Sequence, residues 1–192
     1  MKKAFLSLFL VWSSICLASP VLFYKTHEDY KIKKSLNVGE FKELYIGNAL
    51  TSIKVTENGK KRSYENKELE KVWAFEIDGI LFKYYKGQIF EFMYAGDKVF
   101  VYENANHRIN AVNEGKAYTP GDDKYSVLYF STGIEKNLTL IQTSLKGKIK
   151  ENLRKTYPQL SNVFDNLEKL YEDRKAYTLQ KAVKCFSDFD KE

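Results

Sequence analysis

The sequence predicts an α+β fold in which an antiparallel sheet, open or barrel-like, is followed by a C-terminal helical segment of two to three helices. Up to about residue 142, short runs of β-branched and aromatic residues alternate with glycine-containing turns. From residue 143 onward, apolar residues recur at helical spacing instead. A hydrophobic content of 44%, with 14 Tyr and 13 Phe, is enough for a packed core and argues against global disorder.

Four consecutive strands form the clearest part of the predicted sheet. Their turns contain Asp78-Gly79, Lys86-Gly87 and Gly96-Asp97, and alternation beside two-residue turns is the strongest hairpin signal in a sequence. The strands therefore form an antiparallel meander, and they cover residues 71–77, 80–85, 88–94 and 98–102. Strict alternation places these aromatic and apolar residues on common faces: Trp73, Phe75 and Ile77 in the first strand, and Phe90, Phe92 and Tyr94 in the third.

Further strands are predicted on both sides of this meander. Residues 52–56 alternate before the Asn58-Gly59 turn, and residues 113–124 are the most loop-like interior stretch. The later strands cover residues 108–112, 125–131 and 138–142.

Three amphipathic helices are predicted after the sheet. In the first, Leu145, Ile149 and Leu153 are spaced four apart, Ser144 is a candidate N-cap, and Pro158 ends the segment. The apolar positions of the second are Leu160, Val163, Phe164, Leu167, Leu170 and Tyr171, and those of the third are Leu179, Ala182, Val183 and Phe186. Each helix must bury its apolar face on its neighbours, on the sheet or on a partner.

The first 18 residues have the pattern of a secretory signal peptide. Lys2 and Lys3 precede an apolar stretch that is short for a membrane span, and Ala18 offers a small residue for cleavage. Removal of 18 of the 192 residues leaves 174, which we divide into a β domain at 19–142 and a helical segment at 143–192. A lipoprotein anchored at Cys16 fits less well, because the residues preceding this cysteine depart from a lipobox.

These features predict an exported protein, periplasmic or extracellular, with at most peripheral membrane contact. The formal net charge of +6 comes from 27 Lys and only 4 Arg. Arginine is preferred for bidentate contacts with bases and phosphates, so nucleic acid is not an expected partner.

No metal site or cofactor site is predicted. His27, Glu28 and Asp29 are adjacent, and neighbours on a strand point to opposite faces, so we expect a surface cluster. His107 is far away in sequence, and the pair Asp122-Asp123 lacks the spacing of a calcium loop.

No catalytic residue is predicted either. Glu76 and Glu91 lie inside aromatic strands, but alternation places both on the polar face of a half-buried sheet. The glycine-flanked serine of hydrolases and the glycine-rich phosphate loops are absent from the sequence. Cys185 is the one cysteine left after signal cleavage, and we expect it to be a buried small residue in a helix.

Two further groups leave alternatives open. The basic residues of the first predicted helix favour a solvated face, although a surface for an anionic partner is the alternative; they are Lys146, Lys148, Lys150, Arg154 and Lys155. The aromatic strands favour a sheet core with a covered second face, although stacking on sugars or lining a ligand cavity is the alternative.

The order of these segments resembles a loose group of uncharacterised secreted proteins from Gram-negative envelopes. The resemblance is carried by residues 53–61 (IKVTENGKK), 64–75 (YENKELEKVWAF), the aromatic meander and 157–160 (YPQL). It covers most of the mature chain and implies neither an activity nor functional residues.

Together these observations lead us to expect an envelope or secreted protein that is a non-enzymatic binding module for an unknown envelope protein. One alternative is a carrier that holds a lipid or small apolar ligand inside a closed sheet. The other is a hydrolase of envelope polymers, with two carboxylates or a Ser/His pair in a cleft.

Overall fold

A single antiparallel sheet organises the protein, and the helices of the C-terminal segment pack against one end of it. The computed structural model describes residues 19–47, 50–105, 128–133, 137–141, 145–173 and 177–192. Within them the strands are β1 (Pro20–Tyr24), β2 (Leu36–Ile46), β3 (Thr51–Glu57), β4 (Lys60–Glu65), β5 (Ala74–Ile77), β6 (Ile80–Tyr85), β7 (Gln88–Ala95), β8 (Phe100–Asn104), β9 (Leu128–Ser131) and β10 (Thr139–Ile141).

The strand order is β10-β9-β8-β7-β6-β5-β1-β2-β3-β4, so the sheet is open and its edges are β10 and β4. Two antiparallel meanders, β1–β4 and β5–β10, therefore lie side by side. They meet at β1, which pairs with β2 on one side and with β5 on the other. The α+β fold class and the antiparallel meander predicted from the sequence are confirmed, and the barrel-like alternative is wrong.

The described helices are short in the first half of the chain and longer at its end. They are α1 (His27–Lys31), α2 (Asn66–Leu69), α3 (Lys148–Thr156), α4 (Ser161–Glu172) and α5 (Leu179–Lys191), with a 3₁₀ turn at Pro158–Leu160 before α4. No helix in these described parts of the chain is long and apolar enough to cross a membrane.

Three tight turns connect strands of the meanders through residues with positive φ. The pairs are Asn58-Gly59 (50° and 75°), Asp78-Gly79 (54° and 75°) and Lys86-Gly87 (50° and 83°). Positive φ at both central residues defines the turn type that matches the twist of antiparallel strands, as the sequence predicted.

The β1–β6 end of the sheet buries its own face. The buried residues of this cluster, the sheet core, come almost entirely from strands, with Leu69 of α2 added at one side. Phe75 and Phe82 stack at its centre, with ring centroids 5.4 Å apart. A twisted sheet thus covers most of this face with its own side chains.

The β7–β10 end is covered by the C-terminal helices. Phe130 of β9 contacts Phe164 of α4 and Phe186 of α5, with ring centroids 5.9 Å and 5.5 Å apart. All three side chains are completely buried in a second cluster, the helix core. The predicted helices are therefore confirmed, and they dock on the sheet.

A third cluster lies on the opposite face of the sheet beneath α1. Its buried aromatics are Tyr24, Trp73, Phe90, Phe100 and Tyr102. This opposite-face cluster supports the expectation of a covered second face for the aromatic strands.

Two residues depart from the predicted alternation. Trp73 precedes β5, which begins at Ala74, and its ring belongs to the opposite-face cluster rather than beside Phe75 and Ile77. A register shift between Phe92 and Tyr94 places Tyr94 on the helix core instead of beside Phe90. Strand alternation does not hold before a strand begins or across a bulge.

The first long helix also differs from its prediction. It begins at Lys148 after Gly147, and Ile149 is 36% exposed while Leu145 and Leu153 are buried. Several predicted features lie outside the described residues: the signal peptide at 1–18 with Cys16, the strand at 108–112, the loop at 113–124 with Asp122-Asp123, His107, and the Ser144 cap.

Candidate functional site

A concave surface among the described residues is the groove between α4 and α5. Its volume is about 540 Å³, and the helix residues that line it are distinct from Phe164 and Phe186, which face the sheet. The helices therefore use one face to build the helix core and another to form a surface open to solvent.

The floor of the groove is apolar. Val163 and Leu170 from α4 and Cys185 and Phe189 from α5 form this floor. Val163 is buried in the helix core, Cys185 and Phe189 are partly buried and pack against that core, and Leu170 is partly buried. Positions four or seven apart on a helix share a face, so each helix contributes a continuous apolar strip.

Polar side chains border this floor on both helices. On the α4 side they are Asn162, Asn166 and Lys169, and on the α5 side they are Lys181, Lys184 and Asp188. Lys184 donates to both carboxylate oxygens of Asp188, at 2.8 Å and 2.6 Å. An exposed pair one helical turn apart contributes little to stability, so these charges are available to a ligand.

Cys185 contributes an apolar surface to the groove rather than a nucleophile. Its Sγ lies 3.4 Å from the backbone oxygen of Lys181, one turn earlier in α5. Burial raises the pKa of the thiol, so the neutral form predominates at neutral pH. The expectation of a small residue within a helix is confirmed, but the side chain is only partly buried.

Ion pairs from α3 fix the position of α4, one wall of the groove. Lys150 contacts Asp165 at 2.7 Å and also pairs with Glu168, while Arg154 pairs with Asp165. These partners lower the pKa of Asp165, with Lys150 the larger influence.

The prediction that the basic residues of α3 form a solvated face is therefore partly wrong. The Lys150 side chain is only 16% exposed and is directed toward α4. The sequence could not show this, because the acidic partners of Lys150 belong to another helix.

Asp190 fixes the other wall by joining α5 to the connection between β7 and β8. Its carboxylate accepts hydrogen bonds from the backbone N–H groups of Asp97 (2.9 Å), Lys98 (2.6 Å) and Val99 (3.1 Å), and from the Tyr94 hydroxyl (3.0 Å). Burial acts to raise the pKa of this carboxyl, but these hydrogen bonds outweigh it and lower the pKa.

The same connection reaches the floor of the groove. The Nζ atom of Lys98 lies 5.6 Å from the centroid of the Phe189 ring, within the range of a cation–π contact. The sheet thus positions the aromatic residue at one end of the groove.

The prediction that residues 27–29 form a surface cluster is wrong for His27. Residues 27–31 form α1 rather than a strand, and His27 is only 4% exposed. Its ring lies 4.9 Å from Trp73 and 5.0 Å from Phe100, and burial lowers the pKa of the imidazole. No group of three potential metal ligands occurs within the described ranges.

The two carboxylates inside the aromatic strands do not converge. Glu76 pairs in register with Leu81, and Glu91 pairs with Phe82, so adjacent residues of β6 place the two glutamates on opposite faces. Glu76 accepts a 2.9 Å hydrogen bond from the Tyr24 hydroxyl. Together they cannot act as an acid–base pair on one substrate.

The prediction that Glu91 lies on the polar face of the sheet is wrong. This residue is buried, lies in register opposite the buried Glu103 of β8, and both have interaction partners within the protein. A carboxylate with internal partners can be accommodated in a buried position, which alternation alone does not predict.

No known protein family, curated protein or solved structure matches the chain. The groove itself was not predicted from the sequence. The sequence pattern that could have indicated it is a second set of apolar residues at helical spacing, separate from the residues that face the sheet. These residues are Val163 with Leu170 and Cys185 with Phe189.

Proposed function

We propose that the protein is a non-enzymatic binding module that acts after export and captures an envelope protein in the groove between α4 and α5. The observation that carries this proposal is the apolar floor of the groove, bordered by polar residues on two helices that are each fixed from outside. A rigid surface of this kind reduces the entropy lost on binding.

An amphipathic helix is the partner segment that fits the groove best. Within α4 the lining extends from Asn162 to Leu170, which corresponds to about 12 Å at the 1.5 Å rise of a helix. An elongated apolar strip with polar borders complements a helix whose anchors recur every three or four residues. The mixed charges of Lys169 and Asp188 favour a partner whose polar face also carries both signs.

The groove chemistry favours binding over catalysis. Its thiol is neutral, and none of its described lining residues is a histidine that could serve as a base beside it. The groove therefore offers shape and apolar surface rather than an activated nucleophile.

A small apolar ligand is the second candidate occupant, and the groove volume of about 540 Å³ favours it. This value lies in the range of small-molecule sites. Because the sheet is open, we place a carried ligand between the helices rather than inside a closed sheet.

Cross-linking and affinity capture from the native envelope test the proposal with a matched pair of variants. Leu170→Asp places a charge on the groove floor, whereas Ile149→Asp changes a 36% exposed residue of α3 outside the groove. We expect Leu170→Asp to weaken capture of a stoichiometric protein by at least about tenfold and Ile149→Asp to leave capture unchanged.

The native thiol provides an independent measurement in the same experiment. Because Cys185 lines the groove, the captured partner should slow its alkylation by a maleimide. Equal capture by both variants, with no protection of Cys185, would contradict binding in the groove. A bound small molecule in native mass spectra of the purified protein, lost in Leu170→Asp, would instead support the second candidate.

A further inference from the structure

Ser19 is held in place at the beginning of the central strand β1. Its backbone oxygen accepts a 2.8 Å hydrogen bond from the N–H group of Phe41 in β2. On the other side, its hydroxyl donates a hydrogen bond to the carboxylate of Asp78. The residue directly after the predicted cleavage point is therefore already fixed between two neighbours of β1.

Asp78 provides an exposed carboxylate at this position. It lies in the turn between β5 and β6, and Val21 pairs in register with Ile77 beside it. No ion pair is formed by Asp78 with any residue that the structure describes. A cation formed at Ser19 would therefore meet a carboxylate that accepts a hydrogen bond from the Ser19 hydroxyl but has no ion pair with a described residue.

We propose that cleavage between Ala18 and Ser19 creates an α-ammonium group that forms an ion pair with Asp78 and anchors the start of β1. In this hydrolysis the Ala18–Ser19 C–N bond breaks. Water supplies the new carboxylate oxygen on Ala18 and the protons that convert the Ser19 amide nitrogen to an ammonium. The inference rests on the export part of the proposed function.

Covalent geometry places the new charge close to its partner. The nitrogen and Oγ of a serine are separated by only three bonds, so a carboxylate that binds Oγ is within reach of the ammonium. Before cleavage the same nitrogen is a neutral amide and forms no ion pair. Processing therefore strengthens the position where the two meanders meet.

The first measurement is the N-terminus of the exported protein, by N-terminal sequencing and intact mass. We expect Ser19 as the first residue. The second is an NMR titration of the isotopically labelled N-terminal amine in the mature chain. We expect the pKa of this amine to lie a few tenths of a unit above the usual range of about 7.7–8.0.

Asp78→Asn should return the pKa of the amine to that usual range. Asparagine suits this turn, because Asn58 occupies the corresponding position of another turn at φ 50°. Glu40→Gln is the matched control. Glu40 lies in β2, the neighbour on the other side of β1 from Asp78, and pairs in register with Pro20 of β1. We expect this control to leave the raised pKa unchanged.

Three results would overturn the inference: a different mature N-terminus, an ordinary amine pKa in the wild-type chain, or a loss of the shift in Glu40→Gln but not in Asp78→Asn. The first would move the cleavage site without counting against export, because the measurement is made on the exported protein. The other two would leave export and the groove untouched, and failure of Leu170→Asp to affect capture would leave the ion pair untouched.

Discussion

The two ends of the sheet bury their faces in different ways. At the β1–β6 end, the sheet core is built almost entirely from strand side chains. At the β7–β10 end, the helix core needs Leu153, Phe164 and Phe186 from three helices. The difference shows how the candidate site arises at the β7–β10 end: helices that cover one face of the sheet also meet one another, and the groove lies between two of them.

The largest expected effect tests whether these two ends unfold together. Phe164→Ala and Phe75→Ala each remove a completely buried ring, one from each core, and should each lower the free energy of unfolding by about 3–5 kcal/mol. We expect one shared transition, because β7 contributes Ile89 to the sheet core and Tyr94 to the helix core.

Urea unfolding followed by tryptophan fluorescence and by helix circular dichroism measures this. Both signals should change at the same urea concentration in each variant. If Phe164→Ala shifts only the helix signal, the two ends are separate cooperative units.

Asp190→Asn tests the contact that joins α5 to the connection between β7 and β8, at the β7–β10 end of the sheet. It removes the charge from a group that accepts four hydrogen bonds, and we expect a loss of about 1.5–3 kcal/mol at pH 7. Asp188→Asn, two residues earlier in α5, removes only an exposed pair with Lys184 and should cost less than about 0.5 kcal/mol.

The effect of Asp190 should depend on pH in a defined direction. Its pKa is lower in the folded protein, so its stabilisation is complete above the unfolded value of about 3.9 and is lost as the pH falls through the folded value. Chemical denaturation of wild type and Asp190→Asn between pH 7 and pH 2 should give converging stabilities. A constant difference over this range would contradict the role of the charge.

His27 provides a smaller effect on the opposite face of the sheet. Burial lowers the pKa of its imidazole, with Lys31 acting in the same direction and Glu28, Asp97 and Asp190 opposing. Its contribution is therefore complete above about pH 6.5 and is lost as the pH falls through the folded pKa.

We expect wild type to lose stability between pH 7 and pH 5, and His27→Phe to lose less. Thermal denaturation at these two pH values measures the difference. Equal losses in both proteins would mean that another group controls stability in this range.

Lys86→Asn is the smallest expected effect, and it is stabilising. Lys86 occupies a turn position at φ 50°, where asparagine is favoured, and its cation–π contact with Tyr85 at 5.0 Å is exposed and weak. A gain of about 0.5 kcal/mol is expected in the free energy of unfolding. Destabilisation on denaturant titration would show that the contact with Tyr85 outweighs the backbone preference.

Much of the fold was predictable because strands and amphipathic helices leave local periodic signals. The turns at Asn58, Asp78 and Lys86 and the helix positions Phe164 and Phe186 all follow from such signals. The errors occur where periodicity is interrupted, as at the bulge before Tyr94 and the start of β5 after Trp73.

The candidate site was less predictable because it depends on contacts between distant segments. Lys150 is directed toward α4 only because Asp165 lies there, and the groove exists only because α4 and α5 are held side by side. Neither arrangement has a local signature. The buried Glu91 is similar, since its environment is supplied by other strands.

The carboxylate of Asp190 also has a consequence for the order in which the chain can fold. The amide of Val99 receives this hydrogen-bond acceptor from a residue 91 positions later in the sequence. While the ribosome is still making α5, the connection after β7 has no such acceptor and the ring of Phe130 has no Phe186 above it. The β7–β10 end of the sheet therefore completes its packing only after residue 190 has been added to the chain.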